Sequence, residues 1–309
     1  MSSSSNESDT LLPPFHEGDI IVRSRDDVDF LMYKLDLSRA SPVFRTMLSL
    51  PQPTASPSPA EPYDYLPVVE LSDPGAVLAT LLALCVPMQQ VADTLEDLKD
   101  VADIIEAART YDMEWLVGLA RQVLKNFVEA EALRVYAIAC RFELEDETRL
   151  AARACLRLPM KTILTCDSED LDSITGRHLL HLMNYQDDCR NAVKQYLQTT
   201  VHNTCDTFAG VVICSNCIPP APHSTNWKFR YVAKLTDVLK DCVWEGAVRA
   251  EHAFAAHMRP SRGEMCKNTY CLSIDQSQLA ALHTRVTSEI ANVIDKVSSI
   301  DILKCTFEL

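Results

Sequence analysis

The chain has 309 residues, 47% of them hydrophobic and 23% charged, with a formal net charge of −14 and a pI near 5.0. That length and composition suit a globular protein with room for two domains. The acidic balance argues against nucleic acid or an anionic membrane as the main partner, because no surplus of Lys and Arg exists to neutralise phosphates. The longest apolar run, AVLATLLALCVPM at 76–88, is broken by Pro87 and falls short of the roughly 18 residues a membrane span needs.

Residues 1–16, beginning MSSSSNESDT, are Ser-rich and polar and read as a disordered tail. They show neither the basic n-region nor the apolar h-region of a signal peptide, so the expected location is cytoplasm or nucleus. DIIVRS (19–24) reads as a first strand, Asp26-Asp27 as a turn and VDFLMY (28–33) as a second strand, which makes a hairpin. Apolar residues at 35, 37, 43, 44, 47, 48 and 50 then follow helical spacing. Ser41-Pro42 marks a helix start, since Ser is a good N-cap and Pro is tolerated at the first helical position.

Residues 51–66 form a Pro-rich loop, with five prolines in PQPTASPSPAEP at 51–62. PVVEL (67–71) is a third strand, and Asp73-Pro74 is expected to cap a helix that runs to about Leu84. Amphipathic helices are predicted over Glu96 to Arg109 and Asp112 to Lys125, then at 130–143 and 146–157. Beyond Pro159 the pattern predicts an acidic stretch at 165–175, a helix at 176–200, a short strand VVIC at 211–214 and a long helix from Trp227 to Met258. A last helix over 276–303 carries apolar residues at 279, 282, 286, 290, 293, 297 and 300. Their spacing suits either a heptad seam or a helix packed inside its own domain.

Twelve cysteines in a reducing compartment point to free thiols or metal ligands rather than disulfides. Cys85, Cys140, Cys155 and Cys242 sit among apolar neighbours on predicted helices, as small hydrophobes do. Only 7 glycines are present, and no phosphate-binding glycine motif, G-x-S-x-G elbow or H-E-x-x-H pair occurs. Cys214 and Cys217 with His223, and Cys205 before them, are the best metal candidates, because tetrahedral zinc takes four N or S ligands, often two from one C-x-x-C. The set lacks a knuckle glycine and a second C-x-x-C pair, so free thiols are the expectation. His178 and His181 share a helix face without a third ligand, and the acidic runs at 143–147 and 167–172 suit solvated helix starts. Trp227, Phe229 and Tyr231 suit a core stripe better than a platform for nucleic acid. No catalytic or cofactor-binding residue is assigned.

The opening third of the chain resembles a BTB/POZ domain. The resemblance runs from Asp19 through Phe30, Lys34, Leu37, Ser41 and Phe44, resumes with PVVELSDPGAVLATLLALCVP (67–87) and extends to LEDLKDVADIIEAARTYDMEWLVGLARQVL (95–124). With LRVYAIACRFELEDETRLAARACLRLP (133–159) included, the likeness is to fungal, basidiomycete-like BTB-containing proteins and to the helical extension that follows this domain in many adaptors. It implies an α+β fold: a BTB/POZ-like domain at 17–125, built as a small sheet capped by helices, then a helical extension at 126–160. A mainly α-helical C-terminal region at 161–309 completes the chain. By the same resemblance Asp19 and Lys34 would lie together at a homodimer face. Two departures stand out. Tyr33 replaces the family's usual His, which is harmless because either ring can pack there. FRTMLSLPQP (44–53) lacks the Glu of the apolar-x-Glu motif that cullin-recruiting members carry.

The expected function is therefore that of a non-enzymatic interaction or scaffold protein with protein partners, its own copy among them, and without nucleic acid, membrane or cofactor. The alternatives are a substrate adaptor for a cullin-type ubiquitin ligase, weakened by the absent Glu, and an enzyme in the C-terminal region with metal at Cys214, Cys217 and His223.

Overall fold

The computed structural model describes residues 17–50, 66–86, 95–201, 227–250 and 276–301. Side chains at 200–201, 227–230, 249–250, 276–279 and 298–301 are not described. The chain is mostly helical with one small mixed sheet, and it divides into two compact units, Met1–Phe127 and Val128–Leu309.

In the first unit the sheet has the order β2-β1-β3, with β1 at Ile20–Arg23, β2 at Asp29–Met32 and β3 at Val68–Glu70. β1 pairs antiparallel with β2, Ile20 opposite Met32 and Arg23 opposite Asp29. It pairs in parallel with β3, Ile21 opposite Val68. Alternation works here as physics requires: Ile20 and Val22 point into the core while Ile21 and Arg23 stay half-exposed. The Arg23 guanidinium grips the cross-strand Asp29 carboxylate through two hydrogen bonds of 2.7 and 2.8 Å. At the hairpin, Asp27 takes the left-handed conformation (φ 59°) that Asp tolerates better than most residues.

The chain leaves the sheet through two helices rather than one, α1 (Lys34–Ala40) and α2 (Pro42–Ser49). Ser41 between them is extended, and its hydroxyl accepts from Phe44 N at 3.0 Å, with Pro42 in the first turn of α2. α3 (Gly75–Cys85) starts where Asp73-Pro74 was expected to cap it, but the cap is remote. Asp26 of the hairpin accepts from Gly75 N at 2.7 Å, while the Asp73 carboxylate accepts from the Tyr111 hydroxyl. Bonds from Ser24 and from Gly75 N hold the Asp26 carboxyl below its ordinary pKa. α4 (Leu98–Thr110) and α5 (Glu114–Asn126) close the unit as an antiparallel pair.

The second unit begins with α6 (Ala132–Arg141) and α7 (Glu145–Cys155), which pack against each other and group with the helices that follow. Two short helices, α8 (Met160–Leu164) and α9 (Glu169–Asp172), lead to the long α10 (Gly176–Tyr196), which ends in a π-turn at Leu197–Val201. The helix expected over 227–258 is interrupted. α11 (Trp227–Val238) stops, residues 239–244 run irregularly, and α12 (Glu245–Ala250) restarts. At about 100° per residue, a continuous helix would turn Val248 away from the face that carries Tyr231, Leu235 and Leu239. The break lets all four bury.

The last helix, α13 (Gln276–Asp301), packs on α10 and α12. Its buried row is Leu282, Val286, Ile290 and Ile294, so the spacing settles on fours, and Val293 and Val297 of the expected seam are only half-buried. Leu279 and Ile300 lie among the residues whose side chains are not described. The strand expected at 211–214 lies outside the described residues.

α4 and α6 end in the same way. Asp112 and Glu143 adopt φ 53° one residue beyond the cap, and Met113 N donates to Ala108 O at 2.7 Å as Leu144 N does to Ala139 O at 2.9 Å. These are Schellman closures with a carboxylate residue where glycine is usual. Relieving the left-handed strain, Glu143→Gly is expected to stabilise the protein by about 1 kcal/mol in urea denaturation. Ser41→Ala is expected to cost about 2 kcal/mol in the same measurement. It removes the α2 cap and leaves the buried Tyr111 carbonyl, which accepts from the Ser41 hydroxyl at 2.5 Å, without its donor.

Candidate interaction face

Asp19 and Lys34 meet where the end of the β hairpin enters α1. Asp19 N donates to Met32 O at 2.9 Å, which anchors Asp19 to the last residue of β2. Gly18 makes this approach feasible, because a Cβ there would collide with the Met32 backbone. The Asp19 carboxylate then accepts from the Lys34 backbone N–H at 2.7 Å. Lys34 is the first residue of α1, so Asp19 supplies the acceptor that the Tyr33 side chain does not. The sequence expectation paired two side chains. The bond observed joins a carboxylate to a main-chain amide, which leaves the Lys34 ammonium outside it. Asp19 is exposed and Lys34 half-buried.

Large apolar groups stand beside this pair. Tyr33 is 45% exposed and Leu35 64% exposed, on either side of Lys34. The Tyr33 hydroxyl donates to Glu17 Oε2 at 3.2 Å, which raises its pKa above the ordinary tyrosine value. At the other end of α1, Trp115 is 47% exposed and its indole N–H donates to Ala40 O at 3.0 Å. Both ends of this short helix therefore carry apolar rings or side chains open to solvent. Sequence reasoning identified Asp19 and Lys34 but missed Leu35 and Trp115. The signal for Leu35 was present, since it falls off the inward row that Leu37 begins.

The other candidates separate. Cys214, Cys217, His223 and Cys205 lie outside the described residues. Among the described residues no group of three or more His, Cys, Asp or Glu side chains is placed to hold a metal ion. His178 serves a structural purpose: Thr175 Oγ1 accepts from His178 N at 3.4 Å, and Thr175 N donates to His178 Nδ1 at 3.3 Å, a capping box at the start of α10. Desolvation, aided by the nearby His181, lowers its pKa. Tyr231 is buried and within 3.4 Å of His283 Nδ1, as a core residue.

Cys85, Cys140, Cys155 and Cys189 are buried, and desolvation raises their thiols, Cys85 to about 12 and Cys140 and Cys189 to about 11. These are packing groups, not nucleophiles. Cys166 is exposed. With the native protein at pH 8, iodoacetamide is expected to label Cys166 well before those four, and peptide mass spectrometry reads the order directly. Rapid labelling of Cys85 or Cys155 without denaturant would contradict the packing described above.

No protein-family model matches the chain, and the comparison with curated proteins found no match. Among the described residues, no helix is long and apolar enough to cross a membrane.

Proposed function

We propose that this is a non-enzymatic interaction protein whose first unit is a BTB/POZ-like association module, working in the cytoplasm or nucleus. The observation that carries the reading is the corner at Asp19, Tyr33, Lys34 and Leu35: opposite charges flanked by apolar side chains that remain in water in the single chain. Exposed apolar groups rimmed by charge mark surfaces that gain by being covered. The partner is a second copy of the same face, where Leu35 and Tyr33 supply buried area and the Asp19 and Lys34 charges fix the register. The small sheet closed by helices and the sequence resemblance from Asp19 to Leu124 support the same reading.

Light scattering over a dilution series tests it. Wild type is expected to form a dimer. Leu35→Glu should make it monomeric by putting a charge into the apolar contact. Asp19→Asn keeps an acceptor for the Lys34 amide but removes the charge, and is expected to raise the dissociation constant at least tenfold, about 1.4 kcal/mol. A wild type that stays monomeric at every concentration overturns the proposal, as does a dimer that neither substitution disturbs.

A further inference from the structure

The second unit contains a feature that the association reading does not use. A half-open cleft of about 610 Å³ lies between the C-terminal end of α10 with its π-turn on one side and α11 with the irregular stretch after it on the other. Its floor is apolar: Val193 and Leu197 come from α10 and the π-turn, Leu239 and Val243 from beyond α11, all buried. The irregular stretch after α11 supplies Leu239, Lys240 and Val243 to the cleft. The volume falls within the roughly 300–1,000 Å³ of small-molecule sites. A π-turn at its wall is the kind of helical irregularity that recurs at functional sites.

The rim has the opposite character to the rest of the chain. Arg190 and Lys194 stand one turn apart on α10, and Lys240 faces them from the other wall. Among the described residues, Asp237 is the one carboxylate lining the cleft. Arg190 is paired through Nη1 with Asp187 on its own helix, yet its Nε is buried with no hydrogen-bond acceptor. The ammonium groups of Lys194 and Lys240 have no ion-pair partner among the described residues. A surplus of cations around an apolar floor, in a chain of net charge −14, asks for a ligand with an anionic head and an apolar body.

The geometry points to a binding site for a small anionic amphiphile, a single-chain carboxylate whose tail lies on Val193, Leu197, Leu239 and Val243 while its head meets Arg190, Lys194 and Lys240. One oxygen of the carboxylate would meet the Arg190 guanidinium at the cleft wall, and an ammonium group would hold the other. The site belongs to the second unit, so it stands or falls separately from the association face.

Isothermal titration of the full chain with decanoate tests it, with methyl decanoate and inorganic phosphate as probes of tail alone and charge alone. Decanoate is expected to bind at one site per chain, and the ester and phosphate at least tenfold more weakly. The double variant Lys194→Glu, Lys240→Glu should weaken decanoate binding at least tenfold. Ala233→Trp, which fills the cleft from an exposed rim position, should abolish it while circular dichroism stays unchanged. No decanoate binding by the wild type overturns the proposal. So does equal binding of the ester, of phosphate or by the charge-reversed variant. Loss of self-association in that variant, with no decanoate bound by the wild type, would assign the cleft to a second copy of the chain and equally overturn it.

Discussion

The first unit is held together at Ser41. Its hydroxyl accepts from Phe44 N to start α2 and donates to the Tyr111 carbonyl at the end of α4. Around that buried exchange Phe44 stacks on Tyr111 with ring centroids 4.8 Å apart, and the Tyr111 hydroxyl reaches Asp73 just before α3. One short side chain thus ties the exit from the sheet to the closing helix pair and, through the Tyr111 ring, to the start of α3. Burial and the Asp73 carboxylate both push the Tyr111 pKa upward, so this phenol keeps its proton and donates a hydrogen bond to that carboxylate. A satisfied polar node of this kind fixes one arrangement of helices among the several that apolar packing alone would tolerate.

The second unit relies on longer polar reach. Arg153 on α7 bonds Glu245 at the start of α12 and Asp295 on α13, and Gln186 on α10 donates to the buried Cys155 carbonyl. Arg157 pairs with Glu129 and lies over the Trp244 ring at 4.7 Å. These contacts reach the broken stretch after α11 and the helix that restarts beyond it. The energy of each partly exposed ion pair is small, so their effect is to choose geometry rather than to add much stability. The cleft lies beside that stretch, which supplies Leu239, Lys240 and Val243 to its wall.

The candidate face was partly legible beforehand. Asp19 and Lys34 were identified through the resemblance, and their juxtaposition follows from a short hairpin whose ends must meet. The bond between them was not legible, because it depends on α1 starting at Lys34, two residues after the strand ends, so that its amide has no partner within the helix and needs an acceptor. Asp26 as the cap of α3 was equally hidden. The local candidate, Asp73, sat in the right place in the sequence, but tertiary packing gave it to Tyr111. The basic rim of the cleft could be half seen in Arg190 and Lys194, four apart on a helix. Lys240 joins them only through the fold.

What the sequence determined by itself was the kind and order of elements: alternation for the strands, apolar spacing for the helices, and Ser41-Pro42 for the start of α2. Those are local properties, set by backbone sterics and by which face must leave water. Only the tertiary structure decided that β3 runs parallel beside β1, that the helix after Trp227 stops at Val238, and that Asp112 and Glu143 accept left-handed backbone in place of glycine. Each of those choices costs something locally and is offset by burial at a distance, and contacts at a distance leave no period in a sequence.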